Sequence, residues 1–307
     1  MSDTFFTSSP HWTWYVICYF FVGGIAGVGF FLASLLNLFG RPDDRPVVRA
    51  GYYLALAGAV GGGLLLTLDL TRPERFWHML LQSNTGALML KSWSPMSIGS
   101  WGLMLFGAFS FLAALGAAAE EGRLRWKPLG ALARGVPNVL IAGIGSLFGF
   151  FLAGYTGVLL SVTNRPMWAD SNMVGALFLV SGASTAAASF VLLSIWRGHS
   201  ALLHWLSRFE RGALTLELVA LIAFIVSLGS VARVLVGWWG LLLLVGVVGA
   251  GILAPLVLES RAEPPGGGHR HLVQAAALVL AGGFLLRVVV ILSSQGIHVL
   301  GSGVTLP

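Results

Sequence analysis

A single cysteine, Cys18, in 307 residues removes two kinds of chemistry at the outset. An iron–sulfur cluster needs several thiolates and a disulfide needs two, so this chain forms neither by itself. Charge is nearly as scarce. Asp, Glu, Lys and Arg make up 10% of the chain against 56% apolar residues, too few to coat a soluble domain. No basic patch with interleaved aromatics occurs, which argues against a nucleic-acid surface and leaves the net charge of +6 to another cause. Metal-ligand spacing is missing too, since His269 and His271 border a Pro- and Gly-rich linker and read as surface residues.

What the chain has in excess is long apolar runs. Eight of them, at 14–39, 47–70, 95–118, 136–162, 173–195, 214–235, 238–258 and 272–292, are each long enough to cross a hydrocarbon core. A core of about 30 Å takes about 20 helical residues at about 1.5 Å each. The expectation is an all-α polytopic membrane protein of eight transmembrane helices, a single integral membrane domain over 1–307. The first run lacks a basic leader and a small-residue cleavage site, so it is read as a retained span. Loops after odd-numbered spans hold 12 of the 18 basic residues, whereas Arg72, Arg75, Lys91, Arg165 and Arg233 fall on the side of both termini. Basic loops stay cytoplasmic, which puts both termini on the extracytoplasmic side.

That topology places His11, His78 and His298 at the outer face and His199, His204, His269 and His271 in inner loops. None lies at mid-span, where a membrane-bound b-type haem finds axial imidazoles. Small residues four apart, Gly23 with Gly27, Gly58 with Gly62 and Gly145 with Gly149, suit close helix approach in lipid. The run Gly61-Gly62-Gly63 is not in a strand-turn-helix setting and carries no nucleotide signal.

Four ionisable residues lie in or at the spans: Asp69, Glu217, Arg233 and Arg287. Intramembrane charge is expensive, which makes each a functional candidate, with an ion-paired clamp or interfacial anchor as the competing reading. The densest chemistry is Leu68-Asp69-Leu70-Thr71-Arg72-Pro73-Glu74-Arg75-Phe76-Trp77-His78, where a span leaves hydrocarbon at Asp69. For Asp69 the competing reading is a helix-end brace to Arg72 or Arg75. For the tryptophans it is the aromatic belt of membrane interfaces.

Taken in order, several stretches resemble the membrane subunit of polysulfide reductase and its relatives, the NrfD/PsrC family. They are Tyr19-Phe20-Phe21-Val22-Gly23-Gly24-Ile25-Ala26-Gly27, Asp69 through His78, Ser97-Ile98-Gly99-Ser100-Trp101-Gly102, Tyr155 to Leu160, Pro166-Met167-Trp168 with Phe178 to Gly182, Leu216-Glu217-Leu218, and Leu286-Arg287. The resemblance covers nearly the whole chain. It implies two four-helix bundles forming a haem-free, quinone-reactive anchor in a bacterial or archaeal inner membrane. A ferredoxin-like iron–sulfur subunit would dock on the outer face, joined to a molybdopterin catalytic subunit, and electrons would pass between its nearest cluster and menaquinone or ubiquinone in the bilayer.

Quinol oxidation releases protons, so an acid or imidazole must lie within hydrogen-bond reach of a ring oxygen. Asp69, His78 and Asp170 are the candidates for that work, since imidazole is the side chain suited to proton exchange near neutrality and partial desolvation makes a carboxyl more ready to hold a proton. Tyr19, Tyr155, Trp77 and Trp168 are candidate walls for the flat ring, with Arg72 and Arg75 beside it. Glu217, Arg287 and Arg233 are candidates for a proton path. Three other readings stay open: a proton-pumping version of the same redox subunit, with Glu217 and Arg287 linked into a path, a purely structural anchor, and an ion or solute transporter, although the spans are polar only toward their ends, not at the midplane such a transporter uses.

Overall fold

The computed structural model describes residues 12–124, 127–260, 269–294, 298–300 and 303–305. Its long helices are α1 (Trp14–Phe39), α2 (Arg45–Asp69), α3 (Pro95–Glu120), α4 (Gly135–Ser161), α5 (Val174–Trp196), α6 (Leu203–Ser227), α7 (Trp238–Ser260) and α8 (Arg270–Ser293). Among the described residues seven helices are long and apolar enough to cross a membrane, or eight if a bent pair counts as one span. The bent pair is Ser200–Ser227 with Gly229–Leu235, which meet at 114°. A short antiparallel hairpin, β1 (His298–Leu300) with β2 (Gly303–Thr305), follows α8.

The sixth span departs most from the hydropathy reading. Its helix begins at Leu203, inside the stretch read as a loop, because Leu203, Leu206, Glu210 and Ala213 recur at helical spacing and turn inward together. It ends before 235 because Gly229 takes φ +54°, a left-handed conformation that stops a helix. The seventh span is helical throughout, but Leu242–Leu253 is wound as a π-helix. α3 starts where the sequence marks a start: Pro95 opens it and the Ser94 hydroxyl accepts the Ser97 N–H at 3.4 Å.

α1 is the hub, packing on α2, α4, α5 and α8. Glycine makes the approach possible. A Cβ on Gly27 would strike the Gly149 backbone on α4, and one on Gly58 would strike Ala26. Gly24 meets α5 at Gly182, whereas Gly23 touches only Tyr19 of its own helix. α7 and α8 approach in the same way at Gly251 and Gly282.

Candidate functional site

At the end of the molecule where α2 stops and α3 starts, α1 to α4 enclose a cleft of about 460 Å³. Its lining is apolar apart from a few groups: Asp69 and Thr67 on α2, Ser100 on α3, Tyr19 on α1 and Tyr155 on α4. The loop following α2 covers one side with Phe76, Met79 and Leu80. Several lining residues, Val60, Leu64, Met96 and Met104, are also exposed on the outer surface of α2 and α3, so the cleft opens sideways.

Asp69 is the last residue of α2 and half-buried. It makes no hydrogen bond or ion pair among the described residues, and neither Arg72 nor Arg75 braces it. Tyr19 is buried with its ring against Gly62. The Tyr155 hydroxyl donates to the Pro95 carbonyl at 2.6 Å, and its ring stacks on Phe151 at 5.3 Å. Those two rings enter α3 where Gly99 and Gly102 leave room, one turn apart, and a Cβ at either position would collide with them. The covering loop is tied to α3 through Met89, whose carbonyl accepts from Ser97 Oγ at 3.0 Å and Trp101 Nε1 at 3.1 Å.

Three of the residues singled out in the sequence therefore meet on one cleft: Asp69, Tyr19 and Tyr155. The others lie elsewhere. Trp77 and His78 pack on each other at 3.9 Å, but off the cleft wall, and Arg72, Arg75 and Trp77 are exposed. Trp168 is wholly buried behind the wall, donating Nε1 to the Val290 carbonyl at 2.9 Å and stacking at 5.4 Å on Trp12, which does line the cleft. Asp170 is exposed and accepts the Met167 N–H at 2.8 Å, bracing a backbone turn in which Met167 has φ +71°. Sequence reasoning passed over Trp12 and Thr67, and quoted Phe76 and Ser100 within longer stretches without assigning them to the site. The Gly99 and Gly102 spacing on α3 was the available signal that aromatic rings enter there.

A second cluster lies in the core between α1, α5, α6 and α8. Arg287 is fully buried and donates Nε to the Phe20 carbonyl at 3.2 Å. One of its terminal nitrogens donates to Ser181 Oγ at 3.0 Å and to the Gly283 carbonyl at 2.6 Å, and the group lies 5.2 Å from the Phe178 ring centre. Glu217, 3% exposed, accepts from Ser184 Oγ at 2.5 Å and faces Ser181 and Arg287. Arg233 is not part of this cluster. It stands exposed on the bent segment beyond α6. No group of three or more His, Cys, Asp or Glu suited to a metal ion occurs among the described residues.

The family model described as "Polysulphide reductase, NrfD" matches residues 3–298. The chain belongs to the NrfD family. It is 27% identical to Protein NrfD of Escherichia coli K12, over 96% of this chain and 98% of that protein. To a polysulfide reductase chain of Wolinella succinogenes it is 28% identical, over 92% of this chain and 94% of that one. A shorter match, 24% identical over 34% of this chain and 22% of the other, is to a selenate reductase subunit of Mesobacillus selenatarsenatis. A place in the membrane portion of a reductase complex accords with the helices long enough to span a bilayer.

Proposed function

We propose that this NrfD-family chain is the quinone-reactive membrane subunit of a respiratory oxidoreductase, and that the cleft between α1 and α4 receives the quinone ring. The observation that carries this is an unpaired carboxyl, Asp69, on the wall of an apolar cleft that opens toward the lipid between α2 and α3. A flat apolar ring with two polar oxygens fits such a lining, and a polyisoprenoid tail fits the sideways opening. Menaquinone and ubiquinone share that chemistry.

A bound quinol supplies two electrons and two protons. Asp69 accepts the two protons one after the other at the rim, and His78, two residues beyond cleft-lining Phe76, passes each to water, while the two electrons leave for the nearest cluster of the iron–sulfur partner. Tyr155 is held by Pro95 with its ring against the cleft, and Tyr19 closes the opposite wall. Arg72, Arg75 and the exposed Trp77 then lie where a ferredoxin-like iron–sulfur partner docks, itself joined to a molybdopterin subunit. We read this face as extracytoplasmic from the basic loops at the other end of the helices. In the same reading α1–α4 and α5–α8 form two four-helix bundles, and the Glu217–Ser184–Ser181–Arg287 cluster in the second is a segment of a proton path. Trp168 and Asp170 support the site from behind.

Leu64→Trp tests the cleft directly, because Leu64 is 60% exposed and lines the opening. The variant is expected to fold and assemble but to lose most of the quinone that co-extracts with the unmodified subunit, measured by chromatography of the lipid extract. Undiminished quinone in the assembled variant would remove the cleft as the site.

A further inference from the structure

Glu210 on α6 and Glu259 on α7 form an acid pair distinct from both clusters above. It lies at the opposite end of the helices from Asp69, in the first turns of α6 and the last of α7. Glu210 is 1% exposed and the side chain of Glu259 likewise 1%. Their carboxyl groups meet where α6 packs on the end of α7. Oε1 of Glu210 and both oxygens of Glu259 are buried and accept no hydrogen bond.

Basic groups are plentiful at this end, yet little charge reaches the pair. Among the described residues on the neighbouring segments these are Arg197 and His199 after α5, His204, Arg208 and Arg211 on α6, and His269, Arg270 and His271 at the start of α8. Only Arg211 comes within ion-pairing range, its Nε 4.0 Å from Glu259 Oε2, and its side chain is 40% exposed. Two ionised carboxylates and one arginine leave a net negative charge in a buried site, with like charges side by side. One proton corrects both faults. It brings the local charge to zero and converts two lone acceptors into a donor and an acceptor, O–H···O⁻, a strong charge-assisted bond. A hard metal cation fits less well, because it needs about six oxygen ligands and Arg211 already presents positive charge.

We propose that Glu210 and Glu259 bind one proton between them, forming a proton-dependent clamp between α6 and α7. The proton comes from water at that end of the molecule and no electron moves. Its release leaves two adjacent anions that push the helix ends apart, so occupancy of the site and packing of α6 on α7 change together. This proposal stands independently of the quinone reading.

Infrared spectra of the full chain in lipid nanodiscs, compared in ordinary and heavy water, test it. At neutral pH the unmodified protein should show the deuterium-sensitive carbonyl stretch of a protonated carboxyl, and Glu210→Gln and Glu259→Gln should each remove one carboxylic acid per chain from that band. The glutamine amide donates to the remaining carboxylate, so either variant retains the contact, and Glu259→Asp should retain the acid. An undiminished band in whichever glutamine variant accumulates would overturn the proposal. So would a band lost on adding sodium or magnesium at constant pH, because a cation would then be the occupant. In the unmodified protein alone, a spectrum with no carboxylic acid left once the exposed carboxylates have ionised would overturn it without any variant.

Discussion

Asp69 and Glu217 are both acids on apolar helices, yet Asp69 borders a cleft with no partner while Glu217 is closed in by Ser184 at 2.5 Å and faces Arg287. The contrast separates availability from burial. An intramembrane carboxyl is costly in either place, but the cost at Glu217 is offset by fixed donors, and the one at Asp69 is offset only by its position at the rim. The first arrangement suits a rigid core and the second suits a ligand. Removing a group should therefore damage stability at the Glu217–Arg287 cluster and activity at the Asp69 cleft.

The largest expected effect tests the first half of that contrast. Arg287→Met leaves Glu217 buried beside no cation and takes the donor from the Phe20, Phe178 and Gly283 carbonyls, so about 3–5 kcal/mol of stability should be lost. Yield from membranes and the thermal unfolding midpoint measure it. A variant as stable as the parent would mean that Glu217 is neutral and that Arg287 clamps nothing. Gly99→Ala should come next, because its new methyl collides with the Tyr155 ring. Overpacking of this kind costs about 1–3 kcal/mol, and because Tyr155 lines the cleft, quinone-linked turnover should fall with it. Turnover unchanged in the face of lost stability would detach Tyr155 from the site. His78→Gln should do least to the fold, within about ±0.5 kcal/mol, and should slow turnover less than any change at Asp69. An equal loss at His78 and Asp69 would move the proton-handling role onto the loop.

Much of this arrangement was legible in the sequence. Spans are readable because each needs a long apolar run, and Asp69 was conspicuous because it ends one. Glycine spacing on α1, α2 and α4 marked close approach, whereas the pair Gly99 and Gly102 on α3, which admits the two rings, went unread. The named residues that do not line the cleft share one cause: hydropathy reports depth and says little about direction. Trp168 and Asp170 lie at the same end as Asp69, yet one faces α8 and the other braces its own loop. In the loop after α2, Pro73–Met79 is a 3-10 helix with about three residues per turn, so Phe76 and Met79 share a face and Trp77 and His78 do not. The bend at Gly229 was hidden because an apolar run reads the same through a corner. Glu210 and Glu259 are far apart in sequence, and only the packing of α6 on α7 brings them together.

The central claim, that Asp69 handles protons for a quinone in the cleft, is tested most directly by Asp69→Asn in the fully assembled complex. The change keeps the shape and polarity of the side chain while removing its titration. Quinone-linked turnover should fall by about 10² or more, the scale of losing a positioned acid or base, while reduction of artificial acceptors through the soluble subunits and the amount of assembled complex stay as they were. Full quinone-linked turnover in an assembled complex carrying that substitution would contradict the account.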